Sequence, residues 1–311
     1  MLRTVTITFQ RINFILSLAL LLSAPLASLA MPNAHMLLAI SFLELFPFFI
    51  ALAYLESVER VKLTYLSPLG LLVLLGPRYL AIALTLAGLI SLYHVRKVKL
   101  ESLRFSALLV SLSMLLGGLY TVLFFSLNVD FALKFALLYD VLMIYGVSTH
   151  SFPNTFRDKP DWPLTFLAVV FLILSLVYDG FMLISLILYF LGAKFYKAWK
   201  FYEIVKNYSG IAKKGNLYLL VGTLSSVTGI LSALPLNTLY KLHYLLMGFV
   251  APHIFTHLPL MIPAILRVRA FKDYCLVTFI LLILAVLSWP SLVSMILFLG
   301  SVVCIIKSYL M

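Results

Sequence analysis

The stretch from Lys241 to Arg269, KLHYLLMGFVAPHIFTHLPLMIPAILRVR, is long and apolar enough to cross a bilayer, yet it carries three of the chain's six histidines, His243, His253 and His257. A polar side chain in hydrocarbon costs a few kcal/mol unless the protein pairs it, so three imidazoles in one span call for partners. His253 and His257 are four residues apart and share a helix face. Pro252, Pro259 and Pro263 interrupt the same run, and prolines inside a span loosen the backbone ladder. The stretch reads as a ligand-bearing transmembrane helix.

The rest of the chain agrees with a membrane protein. Of its 311 residues, 63% are hydrophobic and 11% charged, and the mean hydropathy is +1.11, far outside the range of soluble domains. Apolar runs fall near 12–30, 36–56, 63–77, 78–94, 104–127, 131–150, 163–178, 181–196, 216–235, 241–266, 274–289 and 291–308. The third and fourth are split by Gly76-Pro77-Arg78, the seventh and eighth by Asp179-Gly180, each read as a tight hairpin. The expected fold is an all-α, polytopic transmembrane helix bundle of about twelve spans, forming a single integral membrane domain over residues 1–311.

The net charge of +12 does not form a nucleic-acid patch, because the basic residues lie between apolar runs. With the N-terminus in the cytoplasm, all 23 Lys and Arg residues except Arg78, Lys134 and Lys241 fall on the inner side. A miscounted span would scramble that split, so both termini are expected in the cytoplasm of a multi-pass cell-membrane protein. The basic segment 194–214 mixes Phe195, Trp199, Tyr202 and Ile204 with lysines and reads as a cytoplasmic loop at the lipid surface. Residues 1–30 form the first span; their basic start, apolar run and Ala-Ser-Leu-Ala end also fit a cleavable signal peptide. Cys275 and Cys304 lie in the last two runs with no metal or redox spacing and read as packing residues.

At about 1.5 Å per residue, sequence position becomes depth. His35 and His243 open the second and tenth spans from the outer side, with Arg78, Lys134 and Lys241 around the same rim. Two facing imidazoles suit a haem iron, and basic rim residues such as Arg78 and Lys241 suit its propionates; two interfacial histidines meeting water is the plainer reading. A deeper layer holds His253, His257 and His150, a candidate set for a metal such as copper; the alternative is interhelical hydrogen bonding to Ser, Thr or Tyr. Glu44 lies about 13 Å inside His35, and Asp140 at similar depth. Mid-membrane carboxyl groups are costly, so they are protonated, paired, or part of a proton or substrate path. Gly117-Gly118, Gly222 and Gly229 mark close helix packing.

Three segments carry a family resemblance: His35-Met36-Leu37 entering the second span, THSFPNTFR at Thr149 to Arg157, and LHYLLMGFVAPHIFTHL at Leu242 to Leu258. With the span count, they make the chain similar to the NnrS family of polytopic haem- and copper-containing membrane proteins associated with nitric oxide stress, and more distantly to the catalytic subunit of haem-copper oxidases. The resemblance implies haem ligation by His35 and His243, copper at His253 or His257 with His150, and a diatomic ligand or an electron-transfer partner. The chain has no HPEVY-like or paired-histidine segment on spans six and seven, which argues against oxygen reduction.

Two other functions stand beside haem chemistry. One is a proton-coupled secondary transporter using Glu44, Asp140 and the inner histidines; proline-broken helices are common in such carriers. The other is a non-catalytic membrane partner subunit in which the histidines only pack. Phosphate-binding glycine loops, nucleophile elbows and zinc-protease motifs are absent from the sequence.

Overall fold

The computed structural model describes residues 2–59, 63–98, 101–155, 158–200, 211–256, 258 and 275–310. Among them every regular element is a helix. Among the described residues five helices are long and apolar enough to cross a membrane: Thr8–Ala27, Pro32–Glu56, Pro77–Val95, Leu103–Phe124 and Val129–Asn154. Shorter apolar helices occupy the other expected runs, and 241–266 is helical through residue 256. The chain divides into two compact units, Met1–Val147 and Ser148–Met311.

In the first unit, α1 (Leu2–Ala27) and α2 (Pro32–Glu59) form a hairpin, followed by a 3-10 helix over Thr64–Leu75. This run was expected to be an ordinary α-helical span. Pro68 lacks an N–H to give the α ladder, and twelve residues at the 3-10 rise of about 2.0 Å cover roughly 24 Å, about what sixteen α-helical residues would reach. Asn13 of α1 secures it, donating from Nδ2 to the Ser67 carbonyl at 2.8 Å, and a side chain on Gly70 would run into Asn13. Gly76, at φ 115°, reverses the chain, and Pro77 opens α3 (Pro77–Val95).

α3 packs on α4 (Glu101–Phe124) through small and hydroxyl residues. Gly88 lies against the backbone of Leu115, and Ser91 shares a hydrogen bond with Ser111. The outer stripe of α3, Ile82, Leu86, Leu89 and Tyr93, is exposed, whereas Ser106, Ser111, Ser113 and Thr121 of α4 are buried. Polar groups inside and large apolar side chains outside is the reverse of a soluble domain, and suits a solvent of lipid chains. α5 (Val129–Ala136) is capped by Asn128, whose side chain accepts from Phe131 N–H at 2.7 Å. A π-helical turn, Leu137–Val141, joins it to α6 (Leu142–Thr155). This broken span, Val129–Asn154, is 89% buried, against 33% for the span in α1, and it runs past Val147, the last residue of the first unit.

The second unit begins at Ser148, within α6, and continues into the hairpin of α7 (Trp162–Leu174) and α8 (Gly180–Gly192), turning at Asp179-Gly180. Ser185 donates to the Ala168 carbonyl at 2.7 Å between them. A short 3-10 helix, Phe195–Lys200, starts the basic segment, whose residues 201–210 lie outside the described residues. Then come α9 (Ile211–Ser232), α10 (Thr238–Leu245), a π-helical turn (Leu246–Val250) that continues as helix over 251–256, and the pair α11 (Cys275–Leu287) and α12 (Leu292–Leu310).

Before α7, the polar segment is fastened by Asp158, which accepts from Lys197, from the backbone N–H of Lys159 at 2.8 Å and from Lys194 at 3.2 Å. Lys197 above all, with those neighbours, holds the Asp158 carboxyl well below the usual carboxylate range. A depressed folded value means that its stabilisation is complete above the ordinary pKa of about 3.9 and is lost as pH falls through the folded one. Asp158→Asn is therefore expected to lower the melting temperature modestly at neutral pH, because the group is partly exposed. The gap from wild type should stay level down to about pH 4 and narrow below it; melting curves in detergent across that range check both points, and no gap at neutral pH would remove the clamp.

Candidate functional site

Glu44 of α2 and Asp140 of the π turn are both buried in the first unit. Their four carboxyl oxygens have no hydrogen-bond partner, and neither does the buried hydroxyl of Thr121 on α4. Thr121 and Asp140 are the groups that act on Glu44. The Thr121 hydroxyl lies beside the Glu44 carboxyl without a well-formed hydrogen bond to it. Tyr139 closes one side, donating from its hydroxyl to the Glu44 backbone carbonyl at 3.1 Å.

Each element of this arrangement has a local cause. Gly117 lets α4 approach the π turn, since a Cβ there would sit 2.7 Å from Tyr139 Cβ. Gly118 does the same toward α3, where a Cβ would lie 2.7 Å from the Ala81 carbonyl. Thr121 follows one turn later on α4. The two acids were legible as mid-span carboxyl groups; Thr121 and Tyr139 were not singled out. The signal for Thr121 was its position four residues beyond Gly117, on the face that the glycine opens.

The second unit contains a polar centre of opposite character. His253 is fully buried, and its Nδ1 lies 2.7 Å from the Phe249 carbonyl, so that nitrogen carries a proton. Nε2 faces the Tyr189 hydroxyl at 3.1 Å and Ser226 Oγ at 3.0 Å. Ser226 also donates to the Gly222 carbonyl at 2.8 Å, which makes Tyr189 the donor to a neutral ring. Phe152, Phe195 and Phe249 surround the imidazole, with ring centroids at 6.0, 5.9 and 4.4 Å. Tyr189 and Ser226 are the Tyr and Ser partners of the hydrogen-bonding alternative for this histidine.

Pro252 accounts for the neighbouring π turn. It offers no N–H to the Gly248 carbonyl four residues back, and its ring would press on that carbonyl in a regular helix. Widening the turn relieves both, with Ala251 N–H reaching back five residues to the Leu246 carbonyl.

The other expected ligands are placed as follows. His35 Nδ1 donates to the Ala24 carbonyl at 2.7 Å in the first unit. In the second, His243 Nδ1 donates to the Leu239 carbonyl at 2.9 Å, and its ring stacks on Trp289 at 3.9 Å. Arg78 lies over the Phe125 ring at 5.5 Å. Lys241, buried, is paired with Asp179 at 2.5 Å, so its charge is already matched. His150 meets Asn154 at 3.2 Å through Nε2, while its Nδ1 is buried without a hydrogen-bond partner. His257 lies outside the described residues. Among the described residues no three His, Cys, Asp or Glu side chains converge to hold a metal ion, and both nitrogens of His253 are engaged by protein partners.

Both π turns rest against a glycine of the preceding helix: Gly117 against Tyr139, and Gly229 against Phe249, where a Cβ would fall 2.6 Å from the Phe249 Cβ. Gly117→Ala and Gly229→Ala should each destabilise by about 1–3 kcal/mol, the usual penalty for overpacking a filled interior. Thermal unfolding of the purified variants measures it, and unchanged melting would mean that the turns do not depend on the close approach.

No protein-family model, curated protein or solved structure matches the chain, so the chemistry of the site rests on the residues themselves.

Proposed function

We propose that this protein is a proton-coupled secondary transporter of the cell membrane, a bundle of about twelve spans with both termini cytoplasmic, in which Glu44 and Asp140 hold the coupling proton. The observation that carries the reading is the pair of buried carboxyl groups in two apolar helices with all four oxygens unpartnered. An ionised carboxylate in hydrocarbon is expensive, so such a group is retained where it binds and releases charge as part of its work. Thr121 and Tyr139 position the pair, and the π turn places Asp140 on backbone that departs from the regular helix. Irregular backbone near the middle of a span is where carriers build coupling sites. The basic segment 194–214 belongs at the lipid surface, and the partners are lipid and a small solute, not nucleic acid.

Reconstituted vesicles test this. With an imposed proton gradient and a panel of small solutes, solid-supported membrane recordings should show a solute-dependent current in wild type. Glu44→Gln and Asp140→Asn should reduce it to the level of empty vesicles, with folded yield unchanged. A proton-coupled current of wild-type size in both variants would overturn the assignment.

A second reading keeps one supporting observation. His35 and His243 each direct Nδ1–H at a backbone carbonyl, the orientation that turns Nε2 into the ligand nitrogen of a haem-binding histidine. In that reading the protein binds haem and handles nitric oxide or electrons. Oxidised and reduced visible spectra decide it: a Soret band lost in His35→Ala and in His243→Ala supports haem, and colourless protein from haem-replete cells removes it.

A further inference from the structure

Several lysines of this chain have their charge matched by the protein: Lys134 pairs with Asp130, Lys194 and Lys197 with Asp158, and Lys241 with Asp179. The cations at the end of α3 do not. Arg96 and Lys97 are exposed, and among the described residues no carboxylate or hydrogen-bond acceptor meets their side-chain nitrogens. They share one aromatic ring instead. The guanidinium carbon of Arg96 lies 3.9 Å from the centroid of the Tyr93 ring, and Lys97 Nζ lies 5.5 Å from it. His94 meets the same ring edge-on at 5.4 Å. Two like charges are thus gathered at one ring, and nothing on the protein neutralises either.

The turn that presents them is held in place from both sides. Lys97 N–H donates to the His94 carbonyl at 2.9 Å and Val98 N–H to the Val95 carbonyl at 3.0 Å. From α4, Arg104 donates through Nε to the Val98 carbonyl at 2.9 Å. Above the turn runs the outward stripe of α3: Ile82, Leu86, Leu89 and Tyr93 are exposed and, with Arg96, follow one another at alternating spacings of four and three along a single line of the helix. At about 1.5 Å per residue, the rise from Ile82 to Tyr93 is roughly 16 Å, close to the ~15 Å hydrocarbon depth of one leaflet. The line is therefore apolar over the length of an acyl chain and cationic where a headgroup begins, with an amphipathic tyrosine at the boundary.

We propose that this end of α3 binds an anionic phospholipid, its phosphate taken by Arg96 and Lys97 and an acyl chain laid along Leu89, Leu86 and Ile82. The planar guanidinium offers paired N–H donors that match a phosphate, and the ammonium of Lys97 adds a second charge. Charge complementarity selects the lipid: a zwitterionic headgroup carries its own cation and leaves the pair unneutralised, whereas an anionic one does not. A soluble phosphate would leave the apolar stripe unused. On the proposed topology the site faces the inner leaflet. The inference needs α3 to span the membrane and is independent of the coupling role given to Glu44 and Asp140.

The test titrates the detergent-solubilised protein with dioleoylphosphatidylglycerol or dioleoylphosphatidylcholine and counts retained lipid by native mass spectrometry. Wild type should hold the anionic lipid about tenfold more tightly than the zwitterionic one, or better. Arg96→Gln and Lys97→Gln should each weaken phosphatidylglycerol binding roughly fivefold, and the double variant about thirtyfold. Tyr93→Leu keeps the stripe apolar but no longer gathers the cations, so it should weaken binding too. All three positions are exposed, so the variants should melt as wild type does, which keeps folding apart from binding. The control Lys159→Gln/Lys307→Gln removes two exposed charges elsewhere and should leave the affinity unchanged. Equal retention of the two lipids by wild type overturns the proposal. So does a loss in the control as large as in the Arg96/Lys97 double variant, which would mean diffuse charge and no site, or displacement of the lipid by an equal concentration of glycerol 3-phosphate, which would mean a site for soluble phosphate.

Discussion

A hydrocarbon solvent offers no hydrogen bonds, and the packing follows from that. Each polar group within the spans must find its partner inside the protein, and each large apolar side chain is welcome outside. Accordingly α3 and α4 meet through Gly88, Ser91, Ser111 and Gly118, while Leu86, Leu89, Leu123 and Phe124 face outward. Serine and threonine hydroxyls mostly return to a carbonyl three or four residues back, as Ser17, Thr85, Thr223 and Ser226 do. Against this background of internal satisfaction, a polar group without a partner is conspicuous.

The two units solve one structural problem twice. In each, a helix with interior glycines is followed by a short loop ending in asparagine, Asn128 or Asn237, whose side chain caps the next helix at 2.7 or 3.0 Å. Eight α-helical residues follow, then five in a π turn, then α-helix again. In each, a glycine of the first helix lies against the turn. What differs is the cargo: the first turn carries Asp140, and the second directs the Phe249 carbonyl to His253. The likeness is faint in the sequence because the shared features are sparse, namely one capping residue, glycines and spacing, while the apolar residues between them differ freely.

Composition and run length made the helical class legible, and Gly76-Pro77 and Asp179-Gly180 marked their turns because glycine and proline constrain the backbone locally. Glu44 and Asp140 stood out because an acid in an apolar run has few explanations. Other features were hidden for physical reasons. A run such as TYLSPLGLLVLL has the hydrophobicity of an α span, and only its Asn13 contacts and Pro68 explain a 3-10 path. Lys241 looked like a rim cation for an anionic cofactor, but its partner Asp179 is distant in sequence and belongs to a turn that reads as a mere breaker. Hydrogen bonds to His253 come from two other helices, α8 and α9, a relation that no local pattern encodes.

The contrast between the two polar centres is the reason to locate function with the acids. His253 has a proton on Nδ1 with an acceptor, a donor for Nε2 in Tyr189, and in Ser226 Oγ an acceptor should the ring gain a second proton. Such a centre is complete in its resting state and rigidifies the helices that meet there. Glu44, Asp140 and Thr121 have equal burial and no completion. Folding has accepted the cost of unpaired carboxyl oxygens inside two apolar spans, and an apolar replacement would have been cheaper for stability alone. Retaining costly groups at such a place is understandable when the missing partner is a ligand that comes and goes.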